Sequence, residues 1–304
     1  MAETEPANVP SPRQTLTYLT RLFESYGIEA KSKLGQNFLI DLNMLGLIVR
    51  TAELAQEDAV LEVGTGTGSL TGQLAAGAGS VTTVEVDTGL APIAREVIGP
   101  RANVRHVFGD CLAGKNELNP EMIAAWDEEF AAKHCTRRKL VANLPYVIAT
   151  PLVSNLLITR DDIERMVVMV QWEIAERMRA QPGTKDYNAL SVLVQSVADV
   201  EVVRKVLPGN FHPRPKVDSA IVLIRPRAEK RALVGDVRKF RTFLRDLYVH
   251  RRKNLRQALS GWPSGRKDKT DVDAKLASLN IDGTLRSETL DVEQHIRLCN
   301  AFAE

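Results

Sequence analysis

From Val60 onward the chain alternates short apolar runs with Gly-rich turns and segments of helical length. The runs AVLEV (59–63), SVTTVEV (80–86), NVRHV (103–107), KLVAN (139–143) and RMVVMVQ (165–171) read as strands, and 68–77, 89–98 and 150–158 as the helices between them. Strands that alternate with helices predict right-handed βαβ units in an α/β fold, a doubly wound, Rossmann-like, mostly parallel sheet. Upstream, Leu16, Leu19, Leu22 and Phe23 share one face before Gly27, which predicts a helix over 14–26; a second is expected over 42–54. The runs at 200–207 and 216–224 have no helix between them and are joined by Pro-rich PGNFHPRPK, so an antiparallel hairpin at the sheet edge is expected. After Pro226 the pattern becomes charged and helix-periodic, at 236–259, 272–279 and 291–302, with breaks at Gly261-Trp262-Pro263 and Gly265. The expected organisation is a disordered tail (1–12), an α/β domain (13–227) and a small basic all-helical domain (228–304).

Composition refines this picture in two places. With 44% apolar and 26% charged residues, 304 residues are ordinary globular material, and no run approaches the roughly 18 apolar residues of a membrane span. The start, MAETEPANVPSPRQ, lacks a basic-then-apolar signal, and Cys111, Cys135 and Cys299 form neither a disulfide framework nor a metal motif. A cytoplasmic protein in a reducing compartment, with no membrane contact and no metal, is the expectation. The net charge of +2 conceals an asymmetry: residues 204–270 carry 19 Lys and Arg against 5 Asp and Glu, while the rest of the chain is acidic. Such a basic block points to a polyanion.

Candidate chemistry begins with LEVGTGTGSLT (61–71). Gly64, Gly66 and Gly68 suit a tight strand-to-helix turn that a ligand can approach closely. Glu85, at the end of the next strand, is placed to accept both hydroxyls of a ribose. Dinucleotide and S-adenosylmethionine sites share that arrangement, and spacing separates them. The dinucleotide fingerprint is G-x-G-x-x-G; here the glycines run G-x-G-x-G, and Glu62 before the turn suits a cationic, amino-acid-bearing ligand. Asp110, ending the third strand, can accept the exocyclic amine of an adenine.

Asn143-Leu144-Pro145-Tyr146 ends the strand KLVAN. An adenine N6 lone pair is delocalised into the ring, so the amine is a poor nucleophile. The Asn143 side-chain carbonyl and the Leu144 backbone carbonyl can accept both amine hydrogens and favour a pyramidal nitrogen. Pro145 fixes the chain direction and Tyr146 offers a π-face to the base. With a sulfonium methyl donor, in-line positioning carries most of the rate.

In order, KSKLGQNFLID, LEVGTGTGSLT, VEVD, GDCL, NLPY, VQWEIAERM, YNALSVLVQ and FHPRPKVDSAIV resemble the family of small-subunit ribosomal RNA adenine N6,N6-dimethyltransferases, from about residue 14 to about 226. The resemblance implies an S-adenosylmethionine-dependent methyltransferase domain that dimethylates two adjacent adenosines in the 3′-terminal hairpin of small-subunit (16S) rRNA. The implied partner is a partly assembled small ribosomal subunit, and the implied state is a monomer. It also implies that Gln36, Asn37 and Leu39 border the cofactor pocket, Gly64 lies under the methionine part, Glu85 on the ribose and Asp110 on the adenine. Asn143 stands at the junction with the target base, which Phe211 and Tyr146 sandwich. The run His250-Arg251-Arg252-Lys253, followed by Arg256, is expected on a helix and in contact with phosphates.

The chain departs from the family pattern at Val147-Ile148-Ala149-Thr150, which loses two polar side chains, at Trp172, where Lys is common, and in a longer 112–138 interval. Trp126, in a charged segment, reads as half-buried. A large-subunit rRNA adenine methylase of the macrolide-resistance type shares the glycine turn and the N-x-P-Y logic, and a non-catalytic RNA-binding relative would share the scaffold. The FHPRPKVDS and LSVLVQ segments favour the small-subunit enzymes, and intact Glu85, Asp110 and NLPY favour catalysis.

Overall fold

Strand formation follows the apolar runs closely in the computed structural model, which describes residues 16–262 and 268–303. The strands are β1 (Phe38–Leu39), β2 (Asp58–Val63), β3 (Ser80–Glu85), β4 (Val104–Phe108), β5 (Leu112–Gly114), β6 (Glu117–Leu118), β7 (Arg137–Asn143), β8 (Ile163–Gln171), β9 (Ala198–Val206), β10 (Phe211–His212) and β11 (Ser219–Pro226). Seven of them form one sheet in the order β4-β3-β2-β7-β8-β11-β9. β2 runs parallel to β3 and β7, and β3 parallel to β4, with Leu61 opposite Thr82 and Leu140. β2 and β3 are buried along their whole length. A parallel strand covered on both faces has no solvent side, so these runs do not alternate, and the polar side chains they carry (Asp58, Glu62, Ser80, Thr82, Thr83 and Glu85) are buried as well. β9 holds the sheet edge with β11 beside it, and the linking FHPRP segment carries β10, which leaves the sheet and pairs antiparallel with β1.

The chain divides into two compact units, one of Met1–Ile148, Val167–Met169 and Val206–Asp218, the other of Ala149–Met166, Val170–Lys205 and Ser219–Glu304. The first contains β2, β3, β4 and β7 with the helices Leu42–Ala52, Ser69–Gly77, Ala91–Ile98 and Pro120–Ala132. In the second, every helix or strand described after Pro226 is helical, from Ala228–Val234 to Val292–Phe302. The tail expected at 1–12 and the break expected at Pro263 and Gly265 lie outside the described residues. Among the described residues no helix is long and apolar enough to cross a membrane.

Two local expectations are corrected. Trp126 is fully buried, not half-buried: Met122, Ala125 and Trp126 form the inner side of their helix, and the indole N–H donates to the Ala59 carbonyl at 3.2 Å. The run Arg251-Arg252-Lys253 is not helical. The helix Val237–Val249 stops before it, and Asn254 starts a new one, Leu255–Ser260, by accepting the Gln257 N–H at 2.9 Å. Asn is among the strongest N-caps, so it competes successfully with helix continuation. The three cysteines are free and buried.

Candidate functional site

At the C-terminal ends of β2, β3 and β7 the chain makes three turns, and they meet around one cleft. The first turn follows β2. Gly64 has φ +87° and its N–H donates to the Val84 carbonyl at 2.8 Å. A Cβ there would stand 3.3 Å from Pro145 Cδ, so the glycine is needed for contact between the turn and NLPY. Gly68, with φ +84°, precedes the helix Ser69–Gly77, and a Cβ there would come within 2.8 Å of Ile98 Cγ1. This third glycine lets two helices pack closely.

The second turn follows β3. Glu85 accepts the Gly66 N–H on Oε2 and the Asp87 N–H on Oε1, both at 2.9 Å. Burial pushes its carboxyl above the ordinary range, while these backbone donors pull it back. A carboxylate oxygen has two lone-pair sites, so each still has one to offer after its backbone bond. Asp87, in turn, takes the Lys31 ammonium at 2.7 Å and the Gln36 amide at 2.8 Å. Its burial would raise its pKa, but the bonds from Lys31 and Gln36 hold it below the ordinary value. This clamp ties the GQNFL segment to the end of β3. Sequence reading missed it, although VEVD carried the signal, an acid two residues after Glu85.

The third turn is NLPY after β7. Asn143 Nδ2 donates to the Asn37 carbonyl at 3.2 Å. A carbonyl oxygen only accepts, so the amide faces Asn37 with its NH2, and its Oδ1 is left as the acceptor. Leu144 is buried and its N–H donates to the Met169 carbonyl at 3.1 Å. The helix Tyr146–Thr159 begins immediately afterwards.

Gln36, Asn37, Leu39, Gly64, Gly66, Glu85, Asn143, Leu144, Pro145 and Tyr146 line this cleft of about 760 Å³. It shares Leu34, Gly64, Glu85, Val86 and Pro145 with a second, mostly apolar one of about 650 Å³, where Val84, Val86 and Ile148 lead to Asp110. Asp110 Oδ1 accepts the Leu112 N–H at 2.9 Å. Val86 and Phe38 are not singled out by the sequence, and Ile148 is noted there only as part of a departure from the family pattern, because an apolar wall residue carries no motif.

Two expected residues stand outside both clefts. Glu62 is 0% exposed beneath the glycine turn. Its Oε2 accepts the Thr71 and Thr83 hydroxyls at 2.6 and 2.7 Å, and its Oε1 has no partner. Burial pushes its pKa up to about 8, so the site favours a neutral acid, unlike a carboxylate offered to a cation. Phe211, 3% exposed, lies in β10 opposite Leu39. In the second unit, Arg251, Arg252 and Lys253 are exposed, whereas Arg256 forms a two-toothed pair with Asp273, with N–O distances of 2.6 to 2.9 Å.

Glu85→Ala is expected to weaken S-adenosylmethionine binding by roughly 1–3 kcal/mol through loss of charge-assisted hydrogen bonds. Titration calorimetry measures this, and unchanged affinity would overturn the ribose role that the family resemblance implies for Glu85.

Comparison with known proteins gives one consistent result. The sequence pattern of the family described as Ribosomal RNA adenine dimethylase matches residues 27–303. The chain is similar to a Ribosomal RNA small subunit methyltransferase A of Pediococcus pentosaceus, 41% identical over 92% of each chain. One from Geobacillus kaustophilus is 39% identical over 93% of this chain and 94% of the relative. Among solved structures, a dimethyladenosine transferase from Plasmodium falciparum aligns with TM-score 0.69 and 25% identity, covering 86% of this chain and 95% of that one. The 23S rRNA methyltransferase ErmE aligns with TM-score 0.61 and 28% identity, covering 88% and 100%.

Proposed function

The chain belongs to the ribosomal RNA adenine dimethylase family, and from that premise we propose that it dimethylates N6 of two adjacent adenosines in the 3′-terminal hairpin of small-subunit rRNA. It is an S-adenosylmethionine-dependent rRNA methyltransferase, and its substrate is rRNA or a ribosomal subunit. The finer reading is a monomer acting in the cytoplasm on a partly assembled small subunit.

The observation that carries this reading is the convergence of the three turns on the paired clefts. The residues fit the cofactor. Glu85 keeps two acceptor sites for the ribose hydroxyls. The slot between Val84, Val86 and Ile148 suits a flat adenine, with Asp110 at its end to accept the amine. Gln36, Asn37, Leu39, Gly64 and Gly66 enclose the amino-acid end. When bound, S-adenosylmethionine supplies a methyl group already activated on a sulfonium, so no strong base is required of the protein. Asn143 Oδ1 and the Leu144 carbonyl accept the hydrogens of the target amine, and Tyr146 stacks on the target base. Glu62 acts from below by fixing Thr71 and Thr83. Phe211 acts by holding β10 against β1, which keeps Asn37 and Leu39 in place.

Arg251, Arg252 and Lys253 are exposed and, among the described residues, have no carboxylate within ion-pair distance; we assign them phosphate contacts. Arg256 is left out because Asp273 occupies it. Reversing the charge at 251–253 is expected to weaken RNA binding and reduce its salt slope by roughly 2. A slope equal to wild type would make the turn merely solvated.

The function is tested by tritiated-methyl transfer to undermethylated small subunits, mature small subunits and large-subunit rRNA in parallel, with the products mapped by mass. Dimethyladenosine at two adjacent 3′-hairpin positions, only in undermethylated small subunits, is the expected result. Label in large-subunit rRNA would favour the resistance-type activity, and no label with cofactor bound would make the chain a binding protein.

A further inference from the structure

The helix Val237–Val249 buries Val237, Phe240, Phe243, Leu244 and Leu247, and it turns Arg238, Arg241 and Arg245 to another side at spacings of three and four. Those spacings place the three guanidinium groups in one row, roughly 10 Å long at about 1.5 Å per residue. The row is poorly neutralised. Among the described residues Arg238 and Arg241 have no carboxylate within ion-pair distance, and Arg245 is bonded at 2.8 Å only to Asp246, its own neighbour. Like charges at these spacings destabilise a helix by a few tenths of a kcal/mol per pair, so the row is unfavourable for folding alone.

Arg241 is also built into the fold. Its Nη1 donates at 2.8 Å to Oδ1 of Asn155, a side chain only 2% exposed, on the helix Tyr146–Thr159. Asn155 Nδ2 has no partner, so the amide is held in the core with a single hydrogen bond, the one that orients this guanidinium. Burial lowers the Arg241 pKa first, and the charges of Arg245 and Arg238 lower it further. An anchored cation between two like charges is the arrangement expected where an external anion completes the site.

We propose that Arg238, Arg241 and Arg245 form a phosphate-binding row for the RNA backbone, separate in sequence from the Arg251–Lys253 turn, with Asn155 as the positioning residue for Arg241. The row matches a run of regularly spaced phosphates and offers no aromatic or amide group for reading bases. It therefore contributes affinity and orientation, not sequence choice. The proposal rests on the reading that the substrate is rRNA.

The test measures binding to undermethylated small subunits and to a 20-base-pair RNA duplex of arbitrary sequence, across a salt series. The Arg238→Gln/Arg241→Gln/Arg245→Gln variant is expected to lose roughly tenfold to a hundredfold in affinity for both at about 0.15 M salt, with a slope smaller by roughly 2 to 3. Asn155→Leu should weaken binding less than the triple variant, and it should add nothing to Arg241→Gln, because it acts through that side chain. S-adenosylmethionine affinity stays unchanged in all of them, which shows that the cofactor unit is intact. If wild type binds both RNAs and the triple variant keeps its slope, the row is not a phosphate site. Weakened binding to subunits with unchanged duplex binding would assign the row to a ribosomal protein and overturn the RNA proposal. Failure of wild type to bind either RNA would instead remove the reading that the substrate is rRNA.

Discussion

Asn143→Ala lowers methyl transfer by about 10²–10³ while S-adenosylmethionine affinity stays within about tenfold. The expectation rests on how the amide is held. Its NH2 is committed to the Asn37 carbonyl, so its Oδ1 is fixed before the target base arrives and needs no reorganisation when the amine becomes pyramidal. Alanine removes the acceptor and nothing on the Glu85 or Asp110 side, which is why chemistry and cofactor binding separate. Asn143→Asp should not rescue the rate, since it sets a carboxylate oxygen against the Asn37 carbonyl oxygen in place of a donor. Single-turnover rates and titration calorimetry on the same preparations decide the matter. Cofactor affinity lost in parallel with the rate would reassign Asn143 to holding the cofactor.

Much of the lining of the two clefts is legible in the sequence because its signals are local. A glycine turn after an apolar run, an acid at the next strand end and N-x-P-Y after a later strand are each written in a few contiguous residues. The parallel order of β2, β3, β4 and β7 follows from the same runs. What stayed illegible depends on partners far apart in sequence. Arg256 reads as available in the sequence, but Asp273, 17 residues on, holds it. Phe211 looked like a stacking platform, yet the pairing of β10 with β1 buries it opposite Leu39. Glu62 carries the right charge in the right motif, but Thr71 and Thr83 capture it below the turn. The end of the helix at Val249 is a different kind of miss. The periodic, charged segment reads as one helix, whereas in the structure Asn254 caps a separate helix and breaks it.

The largest effect on stability is expected away from the cleft, at the opposite end of β2 and β7. Asp58 and Lys139 are 0% and 1% exposed and form an ion pair at 2.9 Å. Lys139 Nζ also donates to the carbonyls of Ala52 and Glu53 at 3.0 and 2.7 Å, so all three ammonium hydrogens have acceptors. Those carbonyls close the helix Leu42–Ala52, where a cation is additionally favoured by the helix dipole. Asp58 is held by the Ala55 N–H at 2.7 Å and Arg137 Nε at 2.8 Å. Replacing such a pair entirely with apolar groups is often neutral, but removing one partner leaves an uncompensated charge and typically costs about 3–5 kcal/mol. Lys139→Met leaves Asp58 with Arg137 and the Ala55 N–H, so the cost falls at the low end of that range, about 3 kcal/mol, and should lower the urea midpoint by roughly 1 M at a slope of about 3 kcal/mol/M. Lys139→Arg should not restore it, because a planar guanidinium cannot reach three converging oxygens as an ammonium does. Neither residue lines either of the two clefts described above, so the cofactor affinity of the folded variant should match wild type. A midpoint within about 0.3 M of wild type would mean that Arg137 and Ala55 alone satisfy Asp58, and that Lys139 contributes little to holding the helix Leu42–Ala52 against β7.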